Sequence, residues 1–170
     1  MREIPLTQGL VALVDDEDYE VLNAYKWQAQ RHGHTAYAVR HASGQHSVQE
    51  RMHRIVLARM LGRPLANDEM SDHINGNGLD NRRENLRPST CAQNQRNCRK
   101  PDNAQTGRYL GVRWVKHCKS WQAGIGVNRK DIYLGIYSTE TEAALAREFY
   151  IAAHPELHAR SNFSQRELTL

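Results

Sequence analysis

The sequence predicts an α+β chain built in two halves, and three observations carry that prediction. In the first half, "SDHINGNGLDNRRENL" (71–86) sets a polar loop with two Asn-Gly pairs between short strand-like runs. Asn-Gly marks tight turns because Gly takes positive φ freely and Asn tolerates it. In the second half, Trp121, Ala123, Ile125 and Val127 recur at the period of a half-buried strand. Directly after it, "TETEAALAREFYIAAH" opens on a capping box from Thr139 to Glu142, the signature of a helix start. The expected architecture is a strand–loop–strand–helix unit with a β-rich extension before it, then a three-stranded antiparallel sheet packed on one helix.

The elements follow in order. "GLVALVDDEDYEVLNAYKWQAQ" (9–30) holds a short apolar run, an acidic turn and a mixed segment around Tyr25 and Trp27. "TAYAVRHASGQHSVQERM" (35–52) reads as two strands around the turn Ser43-Gly44. Met52, Ile55, Val56 and Met60 then form a helical stripe, stopped by Gly62 and Pro64. His53 and Arg54 fall off that stripe, which leaves them as plain surface or as contacts to nucleic acid. One strand ends near His73 and another runs near Leu86; Ser89 or Thr90, after Pro88, caps the helix that follows. Cys91, Asn94 and Cys98 share one face of it, and because cysteine is usually buried, Asn94 is expected to point inward, towards Asp72 and His73. Residues 99–109 are polar, with Pro and Gly, and read as a linker. Strands are expected over 109–115, Ser120–Val127 and 132–137, and the last helix is expected to bury Ala143, Ala144, Leu145 or Ala146, Phe149 and Tyr150.

With 170 residues, 39% hydrophobic and 25% charged, the chain fits a soluble folded protein. No apolar run approaches the roughly 18 residues of a membrane helix, and the N-terminus lacks a signal-peptide core. A cytoplasmic setting, bacterial or in a phage-infected host, is expected, with no membrane partner. Three cysteines without a C-x-x-C pair argue against a disulfide framework and zinc ribbons. Cys91 and Cys98 stand about 10 Å apart along a helix axis, too far to bridge. The 71–86 loop is no EF-hand either, since counting from Asp72 or from Asn75 misplaces the ligands or the sixth-position Gly.

The net charge of +4 understates the asymmetry. Between residues 82 and 130, twelve basic residues (Arg82, Arg83, Arg87, Arg96, Arg99, Lys100, Arg108, Arg113, Lys116, Lys119, Arg129, Lys130) face only Glu84 and Asp102. Such an excess points to a polyanion, most simply nucleic acid.

Hydrolysing a phosphodiester needs a base for water, a metal to neutralise charge on the phosphate and leaving oxygen, and a grip on the phosphate. A neutral imidazole, His73, suits the first task near pH 7. One carboxylate (Asp72) and one amide oxygen (Asn94) suit a hard cation that retains several waters. Asp72 and His73 are strand neighbours, so a twist or bulge is required to bring both side chains to one site.

"MHRIVLARMLG" (52–62) with "DHINGNGLDNRRENLRPSTCAQNQRN" (72–97) resembles the HNH endonucleases, in particular the homing branch typified by phage-intron nickases. "IPLTQGLVALVDDEDYEVLNAYKW" (4–27) resembles what precedes such fingers. The resemblance implies a ββα-metal finger over about 68–100 within a nuclease domain of residues 1–100. It implies Asp72 and Asn94 as ligands of one Mg²⁺ or Mn²⁺ ion, His73 as general base, and Asn85 as the middle Asn that bonds backbone to hold the loop. After a linker at 101–107, residues 108–165 form the second domain. There "YLGVRW", "WQAGI", "IYLGIYSTETEAALA" and "SNF" resemble the DNA-binding domain of plant ethylene-response factors (the Apetala type), whose sheet lies in the major groove. Arg113 and Tyr133 match contacting positions and Trp121 an aromatic position beside one. Trp114 and Trp121 are assigned either to DNA contact or to packing under the helix. Leu110, Gly126 and Asp131 replace arginines of the plant pattern, so its target sequence does not carry over. Lys116, Lys119, Arg129 and Lys130 are then expected to take phosphate contacts. The expected function is a metal-dependent endonuclease on double-stranded DNA, of homing type. The alternative is a sequence-specific DNA-binding protein without cleavage; a non-specific host-degrading nuclease fits the dedicated second domain less well. A monomer is favoured.

Overall fold

The computed structural model describes residues 1–42, 45–98 and 107–163, and divides the chain into two compact units, Met1–Cys91 and Ala92–Leu170. The turn residues Ser43 and Gly44, linker residues 101–106, and the cations Arg99 and Lys100 lie outside the described residues.

The first unit opens with an antiparallel pair, β1 (Arg2–Pro5) and β2 (Val11–Val14), which buries Ile4, Ala12 and Val14. The acidic block expected as a turn is instead α1 (Asp16–Asn23). Asp16, Glu17 and Asp18 occupy its first turn, where the helix dipole favours negative charge, and Leu22 is buried at its far end. Strands β3 (Gln28–His32), β4 (Thr35–Ala42) and β5 (Gln45–Arg51) form an antiparallel sheet in that order, which places two strands either side of Ser43-Gly44 as expected. Helix α2 (Met52–Leu61) ends on Gly62 in the left-handed conformation (φ 66°), and the Gly62 N–H donates to the carbonyls of Ala58 and Arg59.

Met52 and Val56 of the stripe are buried as expected, but the buried arc of α2 is wider than the stripe. It takes in Leu57 and His53, while Met60 faces solvent. His53 is therefore neither open surface nor an outward contact. A second layer explains this: besides the β3–β5 sheet, α2 packs on the antiparallel hairpin of β6 (Met70–His73) and β7 (Leu86–Ser89). Helix α3 (Cys91–Arg96) follows, almost entirely within the second unit. Cys91 and Cys98 are exposed, and Cys98 lies beyond the end of α3, so the cysteine argument for an inward Asn94 fails.

The second unit contains β8 (Val112–Val115), β9 (Ser120–Val127) and β10 (Lys130–Tyr137), paired antiparallel with β9 central. β8 starts later than expected because the chain bends at Gly111 (φ 70°). β10 starts earlier because Asn128 and Arg129 both take positive φ, closing a two-residue turn between Val127 and Lys130. Helix α4 (Glu140–Ala153) carries the expected capping box and sets Ala143 and Ala144 against Val112 and Ala123. Its buried face differs from the expected stripe: Phe149 is 76% exposed, whereas Arg147 and Glu148 are buried. The chain after α4 accounts for this. Arg147 donates to the Arg160 carbonyl (2.9 Å), and Glu148 accepts from Ser161 Oγ (2.5 Å) and from the Asn162 N–H (2.9 Å).

Candidate active site

Three asparagines of the 74–85 loop, Asn75, Asn77 and Asn85, bond its own backbone. Asn75 Oδ1 accepts from the Asn77 N–H (2.8 Å), and Asn77 Oδ1 accepts from the Leu79 N–H (3.1 Å), two successive Asx turns. Gly76 supplies the positive φ (72°). Gly78 serves another purpose, close approach. Its N–H donates to Thr35 Oγ1 (2.8 Å), and a Cβ there would lie 2.5 Å from the Ala36 carbonyl and 2.6 Å from the Tyr37 ring. Asn85 closes the loop from behind. Its Oδ1 accepts from the Asn75 N–H (2.9 Å), its Nδ2 donates to the Asp80 carbonyl (2.7 Å), and its own carbonyl accepts from the Ile74 N–H (2.9 Å). The loop is also tied to β2: Leu13 N–H donates to the Leu79 carbonyl and Asn81 N–H to the Leu13 carbonyl, both at 2.8 Å.

This scaffold holds His73, the last residue of β6. His73 is 5% exposed, with Nε2 3.1 Å from Asn81 Oδ1. Its ring stands edge-on to His53, centroids 5.0 Å apart, and 5.9 Å from Tyr37. Burial lowers the His73 pKa below the usual imidazole value, partly offset by the Asn81 bond and by the Asp72 and Asp80 carboxylates. The ring is thus neutral near pH 7 and able to accept a proton. His53, 4% exposed, is pushed well below the usual value by burial first, then by His73, Arg51 and Arg54.

Asp72 is 3% exposed, and Arg87 grips its Oδ2 with Nε (2.9 Å) and Nη2 (2.8 Å). The β6–β7 register runs without a bulge from Met70↔Ser89 through Asp72↔Arg87 to His73↔Leu86. The bulge that the sequence argument offered as one way to join Asp72 and His73 is absent from this register. Arg87 meets Asp72, while His53, Tyr37 and Asn81 meet the His73 ring. Asn94 lies half-buried on α3, in the second unit.

Sequence reasoning missed the burial of His53 against His73 and the bond of Asn81 to His73. His53 fell off a stripe defined by apolar residues alone. The adjacent pair Asp80-Asn81 was absorbed into the turn reading, though a second asparagine so near Asn85 was a signal of internal bonding.

The cations divide into two sets. Arg82 is paired with Asp80 (2.8 Å) and Glu84 (2.5 Å). Arg83 is paired with Asp18 (2.7 Å) and Glu17 (2.8 Å), and its N–H donates to Asp15 Oδ2. Arg96 donates to the Leu157 carbonyl (3.2 Å). These side chains hold the fold, and the acids that neutralise Arg83 lie too far away in sequence to enter a local charge count. Arg113, Lys116, Lys119, Arg129 and Lys130 are exposed in the second unit. By register, Arg113 and Tyr133 point to the sheet face away from α4, beside Gln122, Gly124, Gly126 and Asp131. Trp121 packs against the core under α4, and Trp114 leans on it edge-on at 5.2 Å, so both tryptophans sit on the helix side.

Residues 50–96 match the family model of the HNH endonucleases. The HNH segment begins at the end of β5, takes in α2, β6, the asparagine loop and β7, and ends with α3. It supports a nuclease acting on DNA; such enzymes generally use a divalent metal. It stops short of β8–β10 and α4. No curated protein and no solved structure matches the chain. Among the described residues no three His, Cys, Asp or Glu side chains gather as a metal cluster, and no helix is long and apolar enough to cross a membrane.

Proposed function

We propose that the protein is a metal-dependent DNA endonuclease of the homing HNH type. The observation that carries this is the HNH match over 50–96, which frames a buried Asp72-His73 pair at the end of β6. In this reading His73 is the general base. It takes a proton from a water molecule, the resulting hydroxide attacks phosphorus, one P–O ester bond breaks, and the leaving oxygen is protonated from solvent. Asn85 is a positioning residue, bonding backbone at both ends of the loop that follows His73.

The residues fit a hard divalent ion. A carboxylate (Asp72) and an amide oxygen (Asn94) are oxygen donors suited to Mg²⁺ or Mn²⁺. Asp72 is ion-paired with Arg87, so a bound ion would share or displace that guanidinium. The pairing of Asp72 with Asn94 rests on their order in the HNH motif. When bound, the ion would neutralise charge on the phosphate and the leaving oxygen.

The second unit, in this reading, is the DNA grip. Its open sheet face with Arg113 and Tyr133, flanked by Lys116, Lys119, Arg129 and Lys130, suits a strand contact with the major groove of duplex DNA, as the ethylene-response-factor resemblance implies. The test is supercoiled plasmid with Mg²⁺, with Mn²⁺ and with chelator. Nicked or linear product that disappears with chelator supports the proposal; intact plasmid with both metals refutes it.

A further inference from the structure

We propose that Asn77 is a site of spontaneous covalent modification, deamidation to aspartate or isoaspartate, and that the Thr35 hydroxyl on β4 is the lock that slows it. The site is independent of the nuclease reading.

The chemistry is intramolecular. The backbone nitrogen of the residue after an asparagine attacks the side-chain amide carbon. An N–C bond forms, the N–H proton is lost and ammonia leaves. Water then opens the resulting succinimide ring at either carbonyl, which leaves aspartate or isoaspartate. Glycine in the following position favours the attack, because no Cβ hinders it and its backbone turns freely. The chain has two Asn-Gly pairs, Asn75-Gly76 and Asn77-Gly78, both in the loop after His73. A nitrogen whose hydrogen is bonded elsewhere is held away from the amide carbon, since hydrogen bonds are directional. The partner of each glycine N–H therefore sets the rate.

The two pairs are held differently. Gly76 N–H donates to the His73 carbonyl (2.9 Å), Asn75 Oδ1 accepts from the Asn77 N–H (2.8 Å), and Asn75 Nδ2 donates to Asp80 Oδ2 (2.9 Å). Nucleophile and both ends of that amide are restrained. Asn77 is exposed, and its Oδ1 accepts from the Leu79 N–H at 3.1 Å. Its nucleophile, the Gly78 nitrogen, is held by Thr35 Oγ1 (2.8 Å), which comes from another element 43 positions earlier. The Thr35 hydroxyl donates to the Ala36 carbonyl (3.5 Å), which leaves a lone pair for the Gly78 N–H. Replacing Gly78 would remove the labile pair, but a Cβ there would lie 2.5 Å from the Ala36 carbonyl. Close approach to β4 thus demands the glycine, and β4 also supplies the hydroxyl that restrains it. Either product adds a negative charge to the loop, and isoaspartate adds a methylene to its backbone.

The test reads mass, not cleavage. The full chain is incubated in mildly alkaline buffer, natively and unfolded in urea, and peptides are mapped for conversion of amide to acid at Asn75 and Asn77. In urea both asparagines are expected to convert at similar rates. In the native protein Asn77 is expected to convert more slowly than in urea, and Asn75 more slowly still. Thr35→Val keeps the shape and removes the hydroxyl. It is expected to speed conversion at Asn77 about 2–10-fold, the worth of one hydrogen bond read as a rate ratio, and to leave Asn75 unchanged. Thr35→Ser, which keeps the hydroxyl, is expected to match wild type. Native Asn77 converting as fast as in urea overturns the proposal even if Thr35→Val fails to fold. So does a folded Thr35→Val protein with an unchanged rate at Asn77, or Thr35→Ser converting as fast as Thr35→Val. Equal acceleration at Asn75 and Asn77 overturns it too, because that marks a loosened loop and not a lost lock.

Discussion

Replacing Asp18 by asparagine keeps the side chain's volume and removes its charge. Asp18 is fully buried on α1 and accepts from Arg83 Nε (2.7 Å) and Nη2 (3.0 Å) and from Arg59 Nε (2.7 Å). A hydrogen bond to a charged group contributes about 1.5–3 kcal/mol. Arg59, 38% exposed, rehydrates when released, so its share is within about 1 kcal/mol. The two Arg83 bonds dominate, and an amide retains part of one, which puts the loss at about 2–4 kcal/mol. Arg83 begins the short 3-10 turn Arg83–Asn85, so the same change loosens the segment that presents Asn85. The pH dependence has a definite sign. Burial raises the Asp18 pKa, but the Arg83 and Arg59 bonds outweigh it and hold the carboxyl below its usual value. Its contribution is complete above the unfolded value of about 3.9 and is lost as pH falls through the lower folded value. Calorimetry should show the transition of the first unit lowered by about 10 °C or more at pH 7. The gap from wild type should narrow below about pH 4. A penalty under about 0.5 kcal/mol, or one unchanged at pH 3, would refute this account of the buried acid.

Gly78→Ala should force the loop away from β4, because the added Cβ meets the Ala36 carbonyl and the Tyr37 ring. A loss of about 1–3 kcal/mol in urea unfolding is expected, with cleavage down by up to about 100-fold through displaced loop geometry. Asp72→Ala and Asn94→Ala should each abolish or greatly weaken metal-dependent cleavage. Calorimetric titration with Mn²⁺ should show the larger affinity loss for Asp72→Ala, which removes the charge; unchanged affinity in both would dissociate these residues from the metal. Neutralising Lys116, Lys119, Arg129 and Lys130 together should flatten the slope of log affinity against log salt by up to about 3.6 units. An unchanged slope on duplex DNA would take the grip away from this unit.

Where side chains within one element decide the structure, the sequence was legible. β9 was read to its ends because Trp121, Ala123, Ile125 and Val127 alternate cleanly, and the α4 capping box is local by nature. The asparagine loop was readable as a turn but not as a network, since the bonds of Gly78 to Thr35 and of Asn81 to Leu13 span distant residues. The acidic stretch 15–18 looked like a turn because the partner that buries Asp18 is Arg83, which no local window contains. His53 was read as surface or as an outward contact because a helical stripe is drawn from apolar residues, while the hairpin over α2 buries a polar one. Phe149 misled in the opposite direction: a large apolar residue on the right spacing stays in solvent because the chain after α4 covers its neighbours, Arg147 and Glu148. For the site, the residue types and order were visible, but the contact of Asn81 with the His73 ring needed coordinates.

The central claim is that His73 takes the proton of water in a metal-dependent cut of DNA. Single-turnover cleavage of a short duplex, cut by wild type, measures it directly, with DNA binding followed in parallel on wild type and His73→Ala. The account predicts that His73→Ala binds as tightly as wild type and cuts about 10²–10⁴-fold more slowly at saturating metal. A variant that binds normally and cuts at the wild-type rate would contradict it.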